Sequence, residues 1–319
     1  MTEVVLNESL SRTSLLAIFA AMAAYAIAFV ILAIDLSRRA DQAAVTKKEA
    51  KAAAAKSAAG KTRKASLERV GLLFTFLAAS LHAFGVFGRG IAAGRVPWSN
   101  MYEFSISGTL VIAVIFLVAQ ALKPEIRYIS SVVTGFNTLV LGIATTIFYV
   151  QVKSLPPALQ SYWLLIHVTV AVLATAFFFI AAALSITYLF KSASWLTKLK
   201  GKTVDKARKV LALFPEAERL EKLSYRYNVI GFILWTFTLI AGAIWAERAW
   251  HRYWGWDTKE TWTFIIWSIY AGYLHATATR GWSGKRSAWL VVVGFAAIMF
   301  NFTIVNLFFK GLHVYSGLK

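Results

Sequence analysis

The chain of 319 residues contains no cysteine. It therefore forms no disulfide, ligates no metal through thiolate and performs no thiol exchange, so any redox step on a partner's cysteines belongs to another protein. Charge is also scarce: 15% of residues are Asp, Glu, Lys or Arg, against about 25% in a soluble domain. Acidic residues are the scarcer kind, 15 against 34 Lys plus Arg, for a net charge of +19. Nucleic-acid binding would place that surplus on a folded soluble domain as a basic patch, and no such domain is visible. A small-anion transporter or channel would place charges inside the apolar runs, whose interiors are nearly free of them.

What fills the chain is apolar: 58% of residues, with a mean hydropathy of +0.61. Runs of about 20 apolar residues recur, each long enough to cross a hydrocarbon core of ~30 Å as a helix. The expected fold is all-α and polytopic, with about eight spans near 15–35, 68–88, 104–122, 128–150, 161–190, 227–246, 260–279 and 288–309. The basic pair Arg38 and Arg39 follows the first run rather than preceding it, so this run reads as a retained helix and not a cleaved signal. Residues 1–66 comprise that first helix and a basic Ala/Lys linker (40–66) of low complexity, which can build no core. Residues 67–319 form the main membrane unit. In the other long basic loop, Leu213, Phe214, Leu220 and Leu223 suggest a short helix lying on the membrane surface.

Loop charge predicts orientation. One set of loops carries 24 Lys plus Arg and the alternate set nine, so the basic set faces the cytoplasm and both termini face outward. The expected location is multi-pass in the plasma membrane, with the outward side being periplasm, extracytoplasmic space or an equivalent lumen. The stretch "WHRYWGWDTKETW", Trp250 to Trp262, then faces outward as well, within an aromatic loop spanning 246–262.

That loop is unusual. An interfacial aromatic belt accounts for Trp98, Trp163, Trp195, Trp235, Trp282 and Trp289, but poorly for Trp250, Trp254 and Trp256 crowded beside Gly255 and Asp257. A spacing of four puts Trp250 and Trp254 on one face if the segment is helical, Gly255 permits a bend, and Asp257 can cap the following helix. The loop reads as a platform for a large flat ligand. His167, six residues into the fifth span, and His313, just beyond the last, flank it at similar depth. Two imidazoles beside aromatic faces fit a haem held edge-on with iron ligated from both sides. Arg248, Arg252 and Lys259 either meet its propionates or are solvated loop charges. His275 lies about 22 Å below the outer end of its helix; an ionisable group at that depth marks either a second haem-ligand site or a polar contact between helices. His82 is expected to pack inside the bundle, and His251 is left open. In "PWSNMYEF", Asn100 and Glu103 have capping-box spacing, and the stretch is also placed to line an outer cavity.

At these residues the chain resembles a known family. "AGAIWAERAWHRYWGWDTKETW" resembles the tryptophan-rich WWD signature of cytochrome c haem-handling proteins, and within them the System II haem lyase component of the CcsA or ResC type. "PWSNMYE", "WLLIHVTV", "LSYRYNVIGF", "YLHATATRGW" and "NFTIVNLFFKGLHVYSG" support it, over roughly residues 70 to 319. The resemblance implies that His167 and His313 ligate haem outside the membrane and that His275 belongs to a transmembrane haem-entry site. Trp250, Trp254, Trp256, Asp257, Lys259, Glu260 and Trp262 match the signature itself. Thr258 stands where the family usually has proline, and His251 where glycine is common. The implied activity is presentation of haem b to an apocytochrome c carrying Cys-X-X-Cys-His, as part of a holocytochrome c synthase (haem lyase) complex, with a CcsB or ResB type partner and thiol-reducing proteins of the pathway. The nearest rival is a System I type protein that hands haem to a chaperone; a transporter of another class is the more distant one.

Overall fold

The computed structural model describes residues 7–52, 67–153, 155, 159–194, 198–279, 281–313 and 317, with side chains from 44 to 52 left aside. All regular structure among them is helical: α1 (Glu8–Ala52), α2 (Leu67–Ala93), α3 (Met101–Leu122), α4 (Ser130–Thr146), α5 (Tyr162–Lys191), α6 (Lys202–Leu213), α7 (Ala217–Trp250), α8 (Thr258–Thr279) and α9 (Lys285–Phe300). A 3-10 turn, Pro124–Ile129, leads into α4, and a π-helical turn, Asn301–Val305, follows α9.

Seven helices among the described residues are long and apolar enough to cross a membrane. The seventh expected span, 260–279, forms a helix, α8, which at 22 residues is long enough. It fails on composition, because Lys259, Glu260, His275 and a series of threonines and tyrosines dilute its apolar content. Two further expectations shift. α1 does not stop near residue 39 but runs into the linker as far as Ala52, because Ala and Lys are strong helix formers whether or not a core is present. Residues 53–66, Trp195 and the last residues of the chain lie outside the described residues. The surface helix forms earlier than expected, as α6, while Leu220 and Leu223 are buried in the first turns of α7. Phe214 is buried too, in the core that joins α3, α4, α5 and α7.

The helices sort the loops onto two ends. At one, Asn7 N–H donates to Ala92 O and Arg89 to Val150 O, with Leu312 N–H on Asp257. At the other, Glu68 pairs with Arg39 and Arg127, Arg219 with Glu125, and Lys209 with Asp41. This is the alternation expected of successive spans. α1 packs into one core with α2, α3 and α4 through Ile18, Ala21 and Tyr25. A second core, containing Phe178, Trp235, Ile266 and Tyr270, joins α5, α7, α8 and α9.

At the first end a buried ion cluster fixes the entry to α3. Glu103 is fully buried; Arg89 Nε donates to its Oε1 at 3.1 Å and Arg95 Nη1 to its Oε2 at 2.6 Å. Asn100 Oδ1 accepts the Glu103 N–H as the helix N-cap, while Glu103 Oε2 accepts from Ser99 N–H at 3.0 Å. The expected capping box is thus nearly realised, with Ser99 taking the return bond. Burial of both charges makes the cluster a rigid anchor for the segment Trp98–Met101, since an unpaired charge there is heavily penalised.

Candidate functional site

At the end that carries the Trp-rich loop, α3, α5, α7 and α9 spread around a cavity of about 520 Å³, within the size range of small-molecule and cofactor sites. Its wall is mostly apolar and aromatic: Trp98, Phe104, Phe148, Trp235, Trp245, Tyr253, Trp254 and Phe302 line it together with His167, His313 and Lys259. Both readings of the "PWSNMYEF" stretch therefore hold, because Trp98 to Met101 cap α3 and also form one wall. Trp98 and Trp235 are cavity residues rather than belt residues, and Trp235 is buried.

The loop itself is shorter than the sequence suggests. α7 continues through Trp250 and α8 begins at Thr258, leaving His251–Asp257 between them. His251 ends α7 in the left-handed region at φ 57°, its N–H bonded to Glu247 O. That is the position where glycine is favoured, and His251 adopts it here. The His251 side chain is exposed and does not line the cavity. Trp250 and Trp254 consequently do not share a helical face. Trp254 lines the cavity, whereas Trp250 packs behind it on His313 at 4.7 Å between ring centres. Trp256 points away and is 67% exposed. Trp262 packs on Phe300, between α8 and α9. Glu260 is buried and accepts the N–H groups of Gly255 and Asp257 through Oε2, closing the loop onto α8.

Both flanking histidines turn Nδ1 toward a fixed oxygen, His167 within hydrogen-bond distance and His313 only at a longer contact. His167 Nδ1 lies 3.0 Å from Thr238 O; a backbone carbonyl only accepts, so Nδ1 carries the proton and Nε2 is the lone-pair nitrogen. Gly242, one turn further along α7, makes the room: a Cβ there would come within 2.8 Å of His167 Cε1. His313 Nδ1 lies 3.4 Å from Asp257 Oδ1. Asp257 is itself fixed, its Oδ1 accepting Lys259 N–H at 2.8 Å and its Oδ2 accepting Leu312 N–H at 2.6 Å. Burial pushes the Asp257 carboxyl up, but the facing His313 ring and the hydrogen bonds from the Lys259 and Leu312 N–H groups outweigh it and bring it down to about 2. A carboxylate or carbonyl on the far nitrogen of an imidazole is the usual support of a metal-ligating histidine. Among the described residues, Nε2 of neither ring has a hydrogen-bond partner.

Sequence reasoning missed the residue between them. Trp245 is buried; its indole stacks on His167 at 5.9 Å and 16°, and meets His313 edge-on at 5.4 Å. In a helical span a tryptophan gives no sign of which rings it touches, and nothing in the sequence marks Thr238 O or Gly242. The third histidine is not brought to this site. His275 lies on the exposed face of α8, away from the cavity. His82 is fully buried between α1, α2 and α3, its Nδ1 3.5 Å from the Tyr25 hydroxyl, as expected of a packing role.

Fold and site together define a class: a polytopic helical membrane protein with an aromatic, imidazole-bearing chamber at one end of its bundle. Comparison with known proteins narrows it. Residues 98–313 match the model of the Cytochrome C assembly protein family, so the chain belongs to that family. It is similar to the cytochrome c biogenesis protein CcsA of Prochlorococcus marinus, 35% identical over 248 residues, covering 71% of this chain and 78% of that one. With CcsA of Porphyra purpurea it is 32% identical over 286 residues, covering 80% and 90%. Among solved structures, the fold is similar to the cytochrome c haem lyase CcmF with a TM-score of 0.65 at 14% identity. The match covers 95% of this chain, which spans 47% of the length of CcmF.

Proposed function

We propose that the chain binds haem in the 520 Å³ chamber and presents it for covalent attachment to apocytochrome c, the CcsA-type role in cytochrome c maturation. The observation that carries this reading is the meeting of two imidazoles in one aromatic chamber: His167 is fixed through Nδ1 on Thr238 O, which leaves Nε2 as its available ligand atom, and His313 lines the same chamber with Nδ1 3.4 Å from Asp257 Oδ1. Bis-histidine ligation sets the redox properties of the iron through its axial ligands. The haem is haem b, whose vinyl groups survive for reaction: a cysteine S–H adds across each vinyl C=C, forming one C–S and one C–H bond with no net oxidant. The chamber contributes by holding vinyl and thiol in register. The cysteines come from Cys-X-X-Cys-His in the apocytochrome and are kept reduced by other proteins, since this chain has none.

The Trp-rich loop and both termini face the extracytoplasmic side, on the strength of the 24 to nine split in loop charge. His275, exposed on α8, serves a separate haem-entry site completed by a CcsB or ResB type partner, because an imidazole on a membrane-facing surface requires a partner. Replacement of His275 by Ala then lowers haem per folded molecule; occupancy equal to wild type counts against the entry site.

Replacement of His167 or His313 by Gly tests the main reading. Each single variant is expected to lose the bis-histidine absorption spectrum and most cytochrome c maturation, and added imidazole to restore part of both by filling the empty axial position. A double variant with an unchanged spectrum and full maturation refutes it.

A further inference from the structure

We infer that Lys259, with the indole N–H of Trp254, is the carboxylate subsite of the chamber and takes a propionate of the haem; this rests on the haem reading above. Among the described residues lining the cavity, Lys259 is the one Lys or Arg. Its Nζ donates to Asn301 O at 2.7 Å, at the start of the π-helical turn. An ammonium has three donors, and no carboxylate lies within 4.0 Å of Lys259 among the described ion pairs. Two donors are therefore left on a cation whose neighbouring carboxylates, Asp257 and Glu260, lie beyond ion-pair distance, a position that is costly without a closer counter-anion.

The surroundings point the same way. Trp254 also lines the cavity, and its Nε1–H is buried with no hydrogen-bond partner among the described residues. Asn301, whose backbone carbonyl holds Lys259, lines the cavity beside it and is only 7% exposed. π-Helical turns of this kind occur disproportionately at functional sites. The other two cations of the loop are committed elsewhere. Arg248 is 67% exposed beside Glu247. Arg252 lies against Gly255, where an added Cβ would fall 0.5 Å from Nη1, and its Nη2 faces Glu260 at 4.0 Å. Neither arginine lines the cavity. The ligand that suits this wall is large, flat and apolar with a carboxylate at one edge, which describes haem and distinguishes it from an esterified porphyrin.

The test uses the purified full chain from haem-starved cells, titrated separately with haemin and with haemin dimethyl ester and followed by the Soret band. Wild-type protein is expected to bind haemin at least tenfold more tightly than the diester. Lys259→Met is expected to bring haemin affinity down to that of the diester, with diester affinity within about twofold of wild type, which also reports that the variant is folded. Lys259→Arg retains most of the discrimination, and Arg248→Met retains all of it. Trp254→Phe keeps the ring, loses the N–H and reduces discrimination in part, giving a second route should Lys259→Met fail to fold. Equal affinity of wild type for the two porphyrins, or equal weakening of both by Lys259→Met, overturns the subsite while leaving the haem reading standing. Failure of the wild type to bind either porphyrin overturns both.

Discussion

Substitution of Gly242 by alanine adds one methyl group next to a proposed iron ligand. The added Cβ would lie 2.8 Å from His167 Cε1 and 2.9 Å from Nδ1. Ordinary carbon contacts begin near ~3.5 Å, so one side must yield by about 0.7 Å. Gly242 is fixed within α7, about two turns before its end at Trp250, and the imidazole is the mobile partner. It cannot retreat freely, because Trp245 stacks on it at 5.9 Å, and displacement stretches the 3.0 Å bond to Thr238 O. Overpacking costs about 1–3 kcal/mol, and a buried polar group left unpaired costs a further ~1–3 kcal/mol. An axial bond is sensitive to shifts of this size: misplacement by about 1 Å is worth roughly 100-fold in a positioned reaction. Haem content per folded molecule is therefore expected to fall at least tenfold, with the bis-histidine spectrum replaced by that of a five-coordinate or imidazole-rescuable form. Gly272→Ala on α8 is the control, because nothing lies within 4 Å of its added Cβ. Gly242→Ala protein with wild-type haem content and spectrum would show that His167 is not confined as argued.

Three other expectations are open to direct measurement. Glu103→Ala leaves Arg89, 1% exposed, without its counter-ion, and is expected to cost about 3–5 kcal/mol in detergent unfolding; a loss under about 1 kcal/mol would remove the cluster's anchoring role. Asp257 is held down to about 2 against an ordinary 3.8, so its stabilising contribution is fully present above the higher value and is lost as pH falls through the lower one. The stability difference between wild type and Asp257→Asn should accordingly stay constant from pH 8 to about 4 and shrink below that; shrinkage already between pH 7 and 5 refutes the assignment. Finally, the absence of cysteine makes Trp256→Cys a clean topology probe: Trp256 is 67% exposed, and labelling by an impermeant reagent only from the cytoplasmic side would invert the orientation.

The spans were legible because the bilayer imposes one length and one solvent, and a run of apolar residues has few other uses. Their edges were not. α1 passes through the Ala/Lys linker because helix propensity operates beyond the hydrocarbon, and α8 is a helix whose Lys259, Glu260 and His275 keep its hydropathy below that of its neighbours. Of the site, the sequence revealed what is chemically rare: His167 and His313 in apolar surroundings, and four tryptophans within thirteen positions. It concealed what is common. Thr238 acts through its carbonyl, which every residue possesses, and Gly242 acts through the absence of a side chain. Trp245 is one more aromatic residue in a span until α5, α7 and the C-terminal segment meet around it. The π-helical turn at Asn301 has no residue signature at all, although it shapes the cavity wall beside Lys259.

The shared indole has a thermodynamic consequence. Since His167 and His313 both rest on Trp245, the two proposed ligand positions are not independent: a movement of either ring changes the packing of the other. Groups joined through a common neighbour show coupling energies of about 0.5–3 kcal/mol, so displacement of one imidazole by the histidine of an incoming apocytochrome would alter the grip of the second. Capture and release would then be linked through one side chain. On the haem reading proposed above, Trp245 is the side chain through which the two ligand positions would sense one another, without a hinge or a domain movement.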